Sequence, residues 1–280
     1  MELLAQGRFA DAHRQLPRWG AGGRVAHLRP HRRVGEGDHA VSAWPEAWSI
    51  TAQNLPEHAR NPIHTDAGAH AAGFPRALVA GVTTYAYLTH PVVAAWGLDW
   101  VANGGGEVRF RRPVFDADVV RCEVRPDGEA AVVEAVTDEA EQPRAVFRAV
   151  RAGGVVAALR DGEALPAKRV ELRGEWGSDY GARAGDPFDL YQQHGVVHPA
   201  VWPALANHLV HTEVARGSWV HTRSIVRHHG LAPAGATAEV RGTVVRRFQA
   251  HGERAVLDVH ITIDGQVVAS LEHEAIVALP

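Results

Sequence analysis

The sequence predicts an α+β fold laid down twice, and three observations carry that prediction. The stretch "LVAGVTTYAYLTHPVVAAWG" (78–97) is long and apolar enough for a buried helix. Four strand-like segments follow it and are separated by turns: "GEVRFRRPVF", "DVVRCEVRP", "AAVVEAVTDE" and "PRAVFRAVRAGGVV". The same order then recurs after a second apolar helix, "HPAVWPALANHLVHTEVARG" (198–217). A unit recurring at a spacing of roughly 120 residues indicates a duplicated fold. A helix apolar nearly all round needs wrapping, and a strongly curved antiparallel sheet around each helix provides it.

The elements follow in order. Residues 1–39 read as an N-terminal extension: "LLAQGRFADAHRQL" suits a short amphipathic helix, and a Gly-, Pro- and Arg-rich arm follows. The first repeat spans 40–156 and opens on the strand-like "AVSAWPEAWSI". In its helix, Pro91 is expected to kink or end the first part and Gly97 to stop it. Asp127-Gly128 and Gln142-Pro143 mark turns between strands. Residues 157–180 read as a linker and 181–280 as the second repeat. There "WVHTRSIVRHHGL", "TAEVRGTVVRRFQ", "RAVLDVHITID" and "QVVASLEHEAIVAL" are strands, the last two joined by an Asp264-Gly265 hairpin turn.

Composition narrows the function classes. The 280 residues are 46% hydrophobic and 22% charged with a net charge of −3, which gives no argument for a nucleic-acid partner. Lys168 is the sole lysine, a pattern of GC-rich bacterial codon usage, so the many arginines are weak evidence of anion sites. One cysteine, Cys122, allows no internal disulfide and no cysteine-based zinc cluster. The start lacks a signal-peptide pattern and no apolar run reaches membrane-spanning length, so a cytoplasmic location is the expectation. Histidine is abundant, at 18 residues. His194, His198, Asn207, His208 and His211 gather around the second helix, but no carboxylate or third ligand at a recognisable spacing supports a metal, and no cofactor is implied.

The loop "EHARNPIHTDAGAHAAGF" concentrates the candidate chemistry. Its Asn61-Pro62-Ile63-His64, then Asp66, Ala72-Gly73-Phe74 and Val79-Ala80-Gly81, resemble in order and spacing the MaoC-like dehydratase and hydratase family of the hotdog fold, in its double-hotdog form. The resemblance covers most of 40–280. It implies two antiparallel sheets, each wrapped around a central helix, and a lyase that adds water to, or removes it from, an acyl thioester carried on coenzyme A or a carrier protein. A homodimer of double hotdogs is expected, and composition gives no membrane or nucleic-acid partner.

Two departures from the family stand out. Its catalytic Asp falls on Ala59, and its His before the helix glycine falls on Ala80. The second repeat keeps His198-Pro199 but has no Asn-Pro-x-His, so one site is expected, in the first repeat. His64 is the candidate acid/base, because imidazole exchanges protons near neutrality. Asn61 would orient it or bind an oxygen. Glu57 and Asp66 are candidate substitute bases. Gly81 and Val82 would offer backbone N–H groups to the thioester oxygen, with Tyr85 and His198 as further lining residues. Without the Asp, two other readings stay open: a repurposed enzyme (cyclase, eliminating enzyme or thioesterase), or a protein that binds an acyl group without catalysis.

Overall fold

The computed structural model describes residues 44–138 and 142–279, so the N-terminal extension lies outside the described residues. The chain begins with β1 (Trp48–Thr51), a loop of two short 3-10 turns, and α1 (Asp66–Ala71). The long α2 (Gly81–Asn103) comes next. It is followed by β2 (Gly105–Phe110), β3 (Val119–Asp127), β4 (Ala130–Val136) and β5 (Ala145–Val150). The connecting segment contributes β6 (Glu163–Ala164) and β7 (Lys168–Glu171), then α3 (Tyr180–Arg183) and α4 (Leu190–His194). The second repeat has α5 (Val201–Leu209), β8 (Val220–His228), β9 (Thr237–Gln249), β10 (Glu253–Ile263) and β11 (Gln266–Ala278).

The fold is the expected double hotdog, with one refinement. The two antiparallel sheets are continuous: the order is β1-β3-β4-β5-β2-β8-β11-β10-β9-β6, with β7 also on β9. The seam is the antiparallel pair β2–β8, from Gly105↔Arg227 to Arg109↔Arg223. Pairing these strands satisfies two backbone edges that would otherwise stand open. Gly105 permits it, since a Cβ there would sit 2.4 Å from the Val226 carbonyl oxygen. The segment read as a linker is partly ordered into the sheet, β6 and β7 lying on the far edge against β9.

Helix α2 runs past both of its expected stops. Pro91 removes one N–H and so frees the carbonyl of Tyr87, one turn earlier. The indole N–H of Trp48 donates to that oxygen at 3.0 Å and the thiol of Cys122 at 3.4 Å. With the carbonyl satisfied, the helix continues. Gly97 breaks it locally (φ 60°, ψ −158°), and helical structure resumes to Asn103. The second helix is shorter than expected: α5 ends at Leu209 and passes into one wide π turn, Val210–Val214. Both helices are buried in a core that includes Tyr85, Trp96, Trp100, Phe147 and Trp202. The Asp264-Gly265 turn has both residues at positive φ, as a tight hairpin requires.

Candidate functional site

The loop before α1 is shaped by prolines. Pro56 and Pro62 each open a 3-10 turn, where a missing N–H costs nothing. Asn61 stands between the turns and is buried. Its amide Nδ2 donates to the Trp219 carbonyl at 2.8 Å, and its Oδ1 accepts from the backbone N–H of Trp219 (3.4 Å) and Ile63 (3.5 Å). The Asn61 side chain thus staples the loop to the second repeat, and its hydrogen bonds go to Trp219 and Ile63 rather than to the His64 imidazole. Asn61→Ala strands the Trp219 backbone groups, and it is expected to cost about 2–4 kcal/mol of stability. A melting temperature within a degree or two of the parent would contradict the staple.

His64 closes the second turn. Its Nδ1 lies 2.8 Å from the Leu78 carbonyl oxygen. A carbonyl only accepts, so Nδ1 carries the proton and Nε2 keeps its lone pair. Burial pushes the imidazole down to about 4, with the Leu78 carbonyl opposing only in part. The ring is therefore neutral at pH 7, with a basic nitrogen of known tautomer.

Two cavities meet at this ring. One, of about 50 Å³, is lined by polar groups that include Glu57, His58, Glu175 and His208. The other, of about 250 Å³, is mainly apolar, with Ile63, Phe74, Leu78, Phe110 and Phe115 among its walls. Asn61, His64, Asn207 and Trp219 line both, and so mark the junction. At that junction the Asn207 side-chain oxygen and the Trp219 indole N–H are buried without a hydrogen-bond partner among the described residues. Buried orphans of this kind ordinarily answer to a ligand or an ordered water.

The other candidates fall in different places. Gly81 lines the apolar cavity and Val82 the polar one. They are the first two residues of α2, whose N–H groups point out of the helix, and Ala80 has no side chain to cap them. Glu57 lines the polar cavity but is ion-paired to Arg183. Burial opposes its ionisation, yet the Arg183 guanidinium outweighs burial and holds the carboxyl below its usual range. Asp66 accepts from the Ala77 N–H at 2.8 Å and opens α1, away from both cavities. Tyr85 is wholly buried against Phe147, with ring centroids 5.2 Å apart, and lines neither cavity. His198 is enclosed between Tyr180 and Tyr191, and its Nδ1 accepts from the Ala200 N–H at 3.1 Å. It packs at the start of the second helix, outside both cavities.

Position 59 cannot supply the absent carboxylate: Ala59 is exposed, and it is His58 that turns inward. The His58 Nε2 lies 3.0 Å from the Tyr180 hydroxyl and 3.3 Å from that of Thr83, and those two hydroxyls are 2.9 Å apart. The His58 ring centroid is 5.8 Å from that of His64. Burial, with His64 nearby, brings His58 down to about 3, so it too is neutral at pH 7. We expect Ala59→Asp to leave activity unchanged within about twofold, because the new carboxylate points to solvent. A large gain in a steady-state assay would show that the loop can turn position 59 inward.

His58, Thr83, Tyr180 and Trp219 escaped the sequence reading, and Asn207 was seen only as one member of a polar cluster. An amide inside the apolar run "AVWPALANHLV" was the one usable signal.

Comparison with known proteins adds the following. Residues 56–144 match the family model described as MaoC like domain. Among solved structures, a MaoC domain protein dehydratase from Chloroflexus aurantiacus J-10-fl superposes with a TM-score of 0.54 at 14% identity, covering 85% of this chain and 96% of that one. A MaoC-like dehydratase gives a TM-score of 0.50 at 14% identity, with 84% and 98% covered. A conserved hypothetical protein from Mycobacterium tuberculosis, described as having a double hotdog fold, gives 0.52 at 12% identity, with 82% and 96% covered. At such identities the likeness establishes the fold. No curated protein matches the chain.

Proposed function

Starting from a chain whose residues 56–144 are a MaoC-like domain in a double hotdog, we propose that it is a lyase that hydrates an enoyl thioester, or dehydrates the corresponding hydroxyacyl thioester. The observation that carries this reading is the junction itself. A basic imidazole nitrogen, an orphan acceptor and an orphan donor meet where a polar cavity opens into an apolar one.

Their hydrogen-bonding capacities match one water molecule. The Trp219 indole N–H donates to the water oxygen, while Asn207 Oδ1 and His64 Nε2 each accept one of its protons. As the oxygen attacks the β-carbon, its proton passes to His64 Nε2 and the π electrons move toward the thioester. The thioester oxygen gains negative charge beside the Gly81 and Val82 N–H groups, which the helix start leaves unpaired. The protonated His64 then returns its proton to the α-carbon. Dehydration is the same path reversed. In this scheme Asn207, from the second repeat, takes up part of what the absent Asp would do. The apolar cavity suits the acyl chain. Arg111 and Arg144 on its wall supply positive charge for the phosphates of coenzyme A or a carrier arm.

The test is a panel of enoyl thioesters of increasing chain length, followed by loss of enoyl absorbance and, in parallel, by release of free thiol. Hydration without thiol release is expected, as is a roughly tenfold or greater loss in Asn207→Ala. Thiol release without hydration would replace this reading with thioester hydrolysis. Tight binding with neither reaction would make the protein a binder.

A further inference from the structure

The apolar cavity has a second polar feature on a strand of the second repeat. His221 of β8 lines it, 5% exposed, with its ring 4.6 Å from Phe110. Its Nδ1 is buried without a hydrogen-bond partner among the described residues. That atom lies against the first residue of α2: a methyl group at Gly81 would sit 3.3 Å from it. Behind the ring, His221 Nε2 is 2.8 Å from the Ser224 hydroxyl, which is 2.9 Å from His273 Nδ1. The two imidazoles stack with centroids 4.2 Å apart, and Ser224 and His273 are fully buried. Burial and the neighbouring ring hold His221 well below its usual range, a backbone hydrogen bond with Arg223 opposing only in part, and burial brings His273 to about 3, so both are neutral at pH 7.

Two neutral imidazoles and one hydroxyl admit two arrangements in which the serine's own proton is also bonded within the trio. If His221 Nε2–H donates to Ser224, the serine donates to His273, and His221 Nδ1 is an acceptor. If instead His273 Nδ1–H donates to Ser224, the serine donates to His221 Nε2, and His221 Nδ1 carries the proton. The group seated against Nδ1 selects between them. A carbonyl oxygen beside the Gly81 N–H only accepts, so it selects the second arrangement.

We propose that His221 Nδ1–H is a further hydrogen-bond donor to the substrate's thioester oxygen, alongside the start of α2, and that Ser224 and His273 are positioning residues that fix its tautomer. The inference rests on the acyl-thioester reading above. It makes the second repeat a contributor to charge stabilisation as well as a wall, since a preorganised donor in a dry site counts most where charge develops.

The decisive experiment is ¹⁵N NMR of the histidine-labelled full chain, with and without a saturated acyl-coenzyme A that binds but cannot be hydrated. Ligand is expected to move the His221 Nδ1 resonance toward the protonated, hydrogen-bonded position and His273 Nδ1 with it. It should leave His228, which lies outside the cavity, in place. In parallel, Ser224→Ala is expected to lower kcat roughly tenfold with KM within about twofold, and His221→Phe to lower kcat roughly a hundredfold. Binding of the thioester with unchanged His221 and His273 resonances overturns the proposal while leaving the hydratase reading intact. So does a Ser224→Ala variant that keeps its kcat. Absence of any thioester binding or turnover removes the reading itself, and this inference with it.

Discussion

With His64 replaced by alanine, the proposed hydration of an enoyl thioester is expected to fall by roughly 10²–10⁴-fold, the range that one positioned acid/base group contributes. The size follows from the geometry. Among the described residues that line the two cavities the carboxylates are paired, Glu57 with Arg183 and Glu175 with Arg60, while Asp66 is engaged by the Ala77 N–H away from both and position 59 faces solvent. His58 is close but is engaged by the Tyr180 and Thr83 hydroxyls. The carboxylates and His58 are therefore committed to other partners and do not take over the proton. The substitution also strands the Leu78 carbonyl, at a cost of about 1–3 kcal/mol, so a melt must accompany the assay. His64→Gln is the companion variant, because an amide can still donate to Leu78 yet cannot carry a proton. Both variants folded and both inactive is the expected outcome. If either keeps turnover within twofold of the parent, the imidazole does not move the proton.

What the sequence made legible divides along physical lines. Local signals held. The turn at Asp264-Gly265 needs two positive φ angles, and that residue pair advertises them. The Asn-Pro-Ile-His run marked the loop because prolines and a side-chain staple act within a few residues. Features that depend on distant partners were hidden. The kink or end expected at Pro91 gives way to a continuing helix because Trp48 and Cys122, 39 and 35 residues from Tyr87 along the chain, reach the carbonyl that Pro91 frees. The β2–β8 seam joins strands more than a hundred residues apart, and neither strand's pattern names the other. The candidate site divides likewise. His64 could be picked from its motif, whereas Trp219 and Tyr180 reach the cleft only through the docking of the two repeats.

Mild acid is expected to unfold this protein before it silences His64 by protonation. His198, His221, His228 and His273 are all at least 95% buried. Burial brings His198 and His273 to about 3 and His228 to about 4, and holds His221 well below its usual range; Asp186 opposes the shift at His198 only in part. In the unfolded chain each returns to about 6.5. Below that pH the unfolded state binds more protons than the folded one, so stability falls as pH falls. Above pH 6.5 both states are neutral at these sites and nothing is lost. At pH 5 a ring held at 3 to 4 is about 1.5 pH units into its window, or roughly 2 kcal/mol, so His198, His228 and His273 together with His58 and His64 give on the order of 10 kcal/mol, and His221 acts in the same direction. That is comparable with the whole stability of an ordinary domain. Carboxylates do not offset it: Glu57, Asp258 and Glu272 are held below their usual range by Arg183, Arg160 and Arg223 in spite of burial, so they stay ionised through this window. Melting curves followed by circular dichroism should therefore be flat from pH 8 to about 6.5, then fall by on the order of 20 °C toward pH 5. The activity should fall over the same interval, with no separate step from His64, which titrates only near 4. A melting temperature constant from pH 7 to 5 would mean that these rings accept protons inside the folded state. The tautomer argument for His221 would then lose its footing as well.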